Sequence, residues 1–456
     1  MKKYKYAMMM LICMLAFDGI AQDIPVEAQL TEKMSLKKAM EIAMLNNYDI
    51  KIAKASLEKT DNSAFVGNAG LLPSITASGG AEHASNNTEM ELMSMNSAGE
   101  SSSETIEMNG ARSTTYDANV RMDYVLFDGL GNVYTYRKLK GENEKEQILY
   151  RQQMENTMLE VAELYYEVCR NQQSWSLAKQ TLKISHDRYQ RVKDQKEVGQ
   201  ASRLDILNAE VDQNADSTSL LQAEQNYLMA IKNLNVAMGI SVDQNYSVDE
   251  AIVFRDDLDQ QTVVQSVMVN NAGLLSQKKQ EDISELEMKI TKANKSPELS
   301  AYGSYGYSTT DNEVGQLLYN KNVGLTVGLT ATFNVFNGRQ QRIAEKNAKL
   351  DLYSEQERTK QFESQLERDA VNAYIDYDYK RKIVNLQETS LKQAELNFET
   401  TKEMFALGKV NSIEFRTAQE NLLTVANNYN AAQFDAKVAE LNLLQLSGML
   451  LSDSRE

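Results

Sequence analysis

Two stretches of the chain alternate apolar and polar residues with period two. From Tyr116 to Leu126 the even positions are Tyr116, Ala118, Val120, Met122, Tyr124 and Leu126, while Asp117, Asn119, Arg121 and Asp123 fill odd ones. From Val323 to Val335 the odd positions are Val323, Leu325, Val327, Leu329, Ala331, Phe333 and Val335, with Gly, Thr and Asn between them. Such alternation predicts strands with one apolar and one polar face. Weaker companions start at Ser74 and Glu298, directly after Pro73 and Pro297, so two β-hairpins are expected, about 74–127 and about 298–336. Their tips differ. Ala84 to Ser113 is rich in Ser, Asn, Glu and Met and reads as a flexible surface loop, while Ser308 to Asn322 is shorter.

Between the hairpins the period changes. From Gly129 to Gly199 no proline occurs and beyond Gly131 the interior holds one glycine, Gly141, while Val161, Val168, Trp175, Leu182 and Tyr189 recur every seven residues. A seven-residue step keeps one seam facing a partner helix. Ala370, Tyr377, Val384, Leu391, Phe398 and Phe405 form the matching seam further on. Helices of this length would run to about 100 Å. Each is expected to turn at a glycine and return through a shorter helix, about Ser202 to Met238 and about Ser412 to Gly448. A preceding helix is expected in each half, about Ser35 to Val66 and about Leu258 to Asn294.

These elements occur twice. Asn46-Asn47 and Pro73 reappear 224 residues later as Asn270-Asn271 and Pro297, and Phe127-Asp128-Gly129 and Val198-Gly199 reappear 209 residues later as Phe336-Asn337-Gly338 and Leu407-Gly408. A 15-residue insertion in the first hairpin accounts for the difference. The chain therefore reads as two structural repeats, 22–245 and 246–456.

Composition narrows the function. Lys2, Lys3 and Lys5 precede an apolar run from Ala7 to Phe17 and small residues at Gly19-Ile20-Ala21, the pattern of a secretory signal peptide over 1–21. The 456-residue chain carries a formal charge of −16. Such acidity disfavours nucleic acid as a partner. Two cysteines and two histidines leave no transition-metal ligand set, no cofactor motif and no nucleophile–base pair, and neither a phosphate loop nor a nucleophile elbow is present, so no catalytic residue is assigned. A secreted enzyme lacks its chemistry here. A periplasmic coiled-coil scaffold would explain the seams but not the strands placed at equivalent points of both halves.

Four strands cannot close a barrel, since the smallest close at about eight, and an open sheet edge is not viable in lipid. The lipid-facing residues would be Val120, Met122, Tyr124, Leu325, Val327 and Leu329, and the chain would have to oligomerise.

The duplicated Asn-Asn pair, the Leu71-Leu72-Pro73-Ser74-Ile75-Thr76-Ala77-Ser78-Gly79 stretch and the Phe-Asp-Gly and Phe-Asn-Gly exits together resemble the TolC-like outer-membrane channels of efflux pumps and type I secretion systems. So do the runs Val198 to Asp205 and Leu407 to Glu414. The resemblance implies a mixed α and β fold. Long helical hairpins would form a periplasmic α-barrel, and four strands per chain would contribute to a 12-stranded transmembrane barrel shared by a homotrimer in the outer membrane of a Gram-negative bacterium. It implies a passive duct with no enzymatic activity. A periplasmic adaptor would dock at Val198, Gly199, Ser202, Leu407, Gly408 and Asn411, linking the tube to an inner-membrane transporter. Asp194, Glu197, Asp205, Glu403 and Glu414 would line the entrance constriction.

Overall fold

The computed structural model describes residues 33–95, 101–249, 251–314 and 317–450. The expected leader, 1–21, lies outside the described residues.

Each half follows one plan. In the first, α1 (Leu36–Asn46) and α2 (Tyr48–Ser63) lead to β1 (Ser74–Met95) and β2 (Ser101–Phe127). Then come α3 (Gly131–Glu197) and its return helix α4 (Arg203–Met238). In the second, α5 (Gln260–Asn270) and α6 (Ala272–Ala293) lead to β3 (Glu298–Asn312), β4 (Tyr319–Thr332), α7 (Gln340–Ala406) and α8 (Ser412–Leu446). Both α3 and α7 have 67 residues, which at 1.5 Å per residue is about 100 Å. No helix among the described residues is long and apolar enough to cross a membrane.

Three expectations need correction. The tip of the first hairpin is no loop over most of its length: residues 84–95 and 101–113 continue the paired strands, because Thr88, Met90, Leu92 and Ile106, Met108 alternate with polar residues as strand residues do. The preceding helices are each broken in two. Asn47 and Asn271 leave the helical conformation (ψ 135° and 120°), and their side chains cap the next helix, accepting from Asp49 N and Ile50 N and from Leu274 N. Finally, β4 ends at Thr332, so Phe333 and Val335 lie beyond it in the turn into α7.

Each of those Asn side chains also fastens the end of its return helix. Asn47 Nδ2 donates to Ala237 O at 2.8 Å and Asn271 Nδ2 to Leu446 O at 3.0 Å. The glycines behind them, Gly239 and Gly448, have φ near +67°. A Cβ on Gly239 would stand 2.5 Å from Asn46 O and one on Gly448 3.0 Å from Asn270 O. The repeated Asn-Asn pair is thus a clasp, closing each half on itself.

The helices form a wall. In its upper part α3 touches α2 and α6, and α6 touches α7; lower down α3 touches α4 and α8, and α8 touches α7. The wall is four helices wide, with α7 on one edge and α2 and α4 on the other. Its largest apolar cluster lies at mid-height, where Met158, Val161, Tyr165 and Val168 of α3 meet Ile231, Leu234 and Met238 of α4. There the strap after α4 is fixed by Tyr165, whose hydroxyl donates to Met34 O (2.9 Å) and receives Asp249 N (3.1 Å). Trp175 of α3 stacks on Tyr227 of α4 at 5.3 Å, and within α3 Tyr165 meets its neighbour Tyr166 edge-on at 5.6 Å.

Candidate wall faces and hairpin tips

The four strands form one antiparallel sheet in the order β1-β2-β3-β4. Its register decides which side chains share a face. Ala77, Val120, Tyr305 and Leu325 lie abreast, as do Ile75, Met122, Gly303 and Val327 in the next row on the same side. Tyr124 and Leu329 belong to that side too. All six residues expected to face lipid are therefore brought onto one face. Leu325, Val327 and Leu329 are 70–73 % exposed, Val120 and Met122 exposed, and Tyr124 half-buried.

The opposite face is polar. One row reads Ser74, Asp123, Tyr302 and Gly328, the next Thr76, Arg121, Ser304 and Thr326. Arg121 holds Asp123 through Nε and Nη2 at 2.8–3.0 Å and stacks on Tyr302, 4.6 Å from the ring centre. Tyr302 in turn lies across Gly328, where a Cβ would be 2.6 Å from the ring. Among the described residues β1 and β4 each have one unpaired edge.

At the far end each hairpin turns in the same way. Gly199 (φ 78°) closes α3 through Gly199 N to Lys196 O and Gln200 N to Gln195 O, and Gly408 (φ 70°) closes α7 through Gly408 N to Phe405 O and Lys409 N to Met404 O. This is the bonding of a left-handed helix cap. The return helices begin in capping boxes, Ser202 with Asp205 and Asn411 with Glu414. Ser202 Oγ and N both donate to Asp205 Oδ2 (2.7 and 2.8 Å), holding that carboxyl below its ordinary range. Two acids expected at the constriction, Asp205 and Glu414, are thus engaged in capping. Asp194, Glu197 and Glu403 are exposed near the ends of α3 and α7.

Of the residues expected to meet a partner, Val198 and Leu407 are 69–70 % exposed. Leu204 and Ile413, equally exposed, stand just across each turn. The sequence reading missed this second pair. The signal was there, since Leu204 and Ile413 obey the same 209-residue offset.

Above the tips the two hairpins are filled differently. The seven-residue seam of α7 holds except at half-buried Leu391: Ala370, Tyr377, Val384, Phe398 and Phe405 are buried, and Phe398 and Phe405 join Phe415 and Ala418 of α8. On α3 the seam holds at Val161 and Val168, but Trp175, Leu182 and Tyr189 are only half-buried. The buried line moves to Ala178, Thr181, Ser185, Arg188 and Val192. A strict seven-residue repeat drifts by about 20° per heptad on a straight helix, and here α3 packs between α4 and α8, which present polar groups. Arg416 of α8 grips Asp216 of α4 with both terminal nitrogens (2.6 and 3.0 Å). Ser185 donates to Asp216, Gln419 Nε2 reaches Ser185 Oγ and Thr181 O (3.1 and 3.2 Å), and Arg188 pairs with Asp212. This buried network is the polar bolt between the two hairpins.

The sequence matches the family model described as outer membrane efflux protein over residues 39–240 and 263–449. No curated protein sequence matches the chain. Among solved structures, the fold resembles the Campylobacter jejuni CmeC outer membrane channel, with TM-score 0.74 at 15 % identity, covering 91 % of this chain and 86 % of that one. It also resembles the Vibrio cholerae outer membrane protein VceC (TM-score 0.71, 14 % identity, 91 % and 96 % covered). The open-state Neisseria gonorrhoeae MtrE outer membrane channel is similar at TM-score 0.71 and 15 % identity, with 91 % and 89 % covered.

Proposed function

The chain belongs to the outer membrane efflux protein family, and on that premise we propose that three copies share one barrel, to which each contributes four strands. The protein is the outer-membrane duct of an efflux system, a passive channel and not an enzyme. The observation that supports a shared barrel is the sheet itself. It has one apolar face, one polar face and two unpaired edges, and backbone groups on those edges cannot stay unsatisfied in lipid. A neighbouring copy supplies the missing partner, β1 of one chain lying against β4 of the next. The wall continues the same join, α7 of one copy meeting α2 and α4 of another. The polar faces then line a wet lumen that needs no chemistry to pass cargo.

At the tips, Val198, Gly199 and Ser202 with Leu407, Gly408 and Asn411 meet a periplasmic adaptor, and Leu204 and Ile413 add the apolar area for it. What supports this reading is that four large aliphatic side chains stand exposed on two rigid, identically capped turns, where the fold gives them nothing to cover. An inner-membrane transporter is reached through that adaptor. Asp194, Glu197 and Glu403, repeated in each copy, make the narrow end favour cations. Opening that end requires the two hairpins to part, and the Arg416–Asp216 bolt resists it.

The test is the mass of the detergent-extracted particle from the outer-membrane fraction, measured by light scattering with the detergent subtracted. A particle of three chains with channel activity in a planar bilayer is the expected result. A monodisperse monomer, or recovery without detergent, would overturn the shared barrel.

A further inference from the structure

Beyond the sheet, the first hairpin changes sides. Low on β1 the odd residues Ile75, Ala77, Gly79 and Ala81 lie on the apolar face and the even ones on the polar face. Between the pairs Asn86–Ala111 and Thr88–Met108, β2 carries one residue more than β1, and Gly110 there takes φ 70°. This is a bulge in β2, while β1 runs through it and keeps its alternation. Above the bulge the even side carries Thr88, Met90 and Leu92, opposite Met108, Ile106 and Glu104. The odd side carries Glu89, Glu91 and, nearer the tip, Met93, opposite Glu107, Thr105 and Ser103. The side that continues the lumen face has become largely apolar, and the side that continues the lipid face has become acidic.

Among the described residues this ribbon has no further strand beside it within one chain. Pairing between β2 and β3 ends at Ser113–Asn312, and pairing between β3 and β4 at Asp311–Tyr319. An isolated two-stranded ribbon is marginal in water, and Glu89 directly opposite Glu107 weakens it further. Acidic residues on the outer side are repelled by an anionic lipid surface, so the ribbon does not fold down onto the membrane. It rises from β1, the edge strand at which the next copy joins, and its apolar side continues the face that looks into the barrel.

We propose that the ribbons of the copies sharing the barrel converge over its outer mouth and bury Met90, Leu92, Ile106 and Met108 against one another as an apolar collar. The inference rests on the shared-barrel reading. The acidic sides remain in water, and the collar forms a second constriction, at the opposite end of the duct from the hairpin tips. An apolar ring resists wetting, so it narrows the mouth to ions until cargo or a partner spreads it.

Single cysteines placed in a Cys169→Ala background, on the intact particle, test the collar. Ile106→Cys is expected to give covalent dimers and trimers with a flexible bis-maleimide, and Glu107→Cys on the acidic side to give several-fold less. In planar bilayers the double variant Met90→Ser, Ile106→Ser is expected to raise the open conductance by about twofold while leaving the particle mass unchanged. A particle of three chains that cross-links equally at both positions, or not at all, overturns the collar and leaves the shared barrel standing. Unchanged conductance in the double variant also counts against it. A monomeric mass overturns both.

Discussion

The two long hairpins have the same backbone and opposite interiors. α7 and α8 close on aromatic rings down to the tip, Phe398, Phe405 and Phe415 lying with ring centres 4.8–5.6 Å apart. α3 and α4 abandon the apolar seam below Trp175 and bury Thr181, Ser185, Arg188 and Asp216 instead. The apolar hairpin is complete in itself, because dispersion and water exclusion need no particular partner. The polar one is not. Its buried carboxylate is satisfied by Arg416, which the other hairpin supplies. Duplication gave two equal frames, and the filling makes one of them self-sufficient and the other dependent.

That contrast can be broken from the apolar side first. Phe405→Ala removes the ring that joins Phe415 and is expected to cost about 3–5 kcal/mol, read as loss of hydrogen-exchange protection along the lower half of α7 and α8. Protection along α4 should change little. Asp216→Ala should act across both hairpins, leaving Arg416 with only the exposed Glu420 as its ion partner and costing about 3 kcal/mol. Pairing it with Arg416→Met should restore protection, since a desolvated ion pair replaced on both sides by apolar groups is often neutral. No recovery in the double variant would mean that the network stabilises through Ser185 and Gln419 rather than through the charges.

The clasps offer a sharper, smaller comparison. Asn47→Ala and Asn271→Ala each remove a helix cap and a bond to a return helix, at about 1–2 kcal/mol, measured by protection of Asp49 and Ile50 in one case and Leu274 in the other. Because the Asn47 side chain is buried and that of Asn271 only partly, the first should cost more. Smallest is the pH response of the first tip. Ser202 depresses the Asp205 carboxyl below its ordinary 3.8, so the box contributes fully above that pH and is lost as pH falls through the depressed value. Exchange at Ser202 and Asp205 amides, followed downward from pH 5, should accelerate only below pH 4. A transition centred above 4 would contradict it.

Much of this was legible in the chain. The repeat offsets, the period-two strands and the proline-free runs located every long element, because each is a local pattern that its own residues enforce. Three features were not. The breaks at Asn47 and Asn271 depend on carbonyls 190 and 175 residues away. The shift of the α3 seam depends on Arg416 and Gln419 of another helix, which no periodicity within α3 records. The long ribbon was read as a loop because its Ser, Asn and Glu outweigh the alternation of Met90, Leu92, Ile106 and Met108. At the tips the residue types were visible, but the capping roles of Asp205 and Glu414 compete with a role as free charges, and only geometry separates the two.

The clasp also fixes an order of events. Closing a loop of 190 residues costs about 5 kcal/mol of chain entropy, more than one hydrogen bond returns. Asn47 can therefore reach Ala237 only after α3 and α4 have zipped together and shortened the loop for it. The same holds for Asn271 and Leu446. A half whose hairpin has not yet zipped therefore leaves its clasp open, and closing the clasp is a late step of folding in each half.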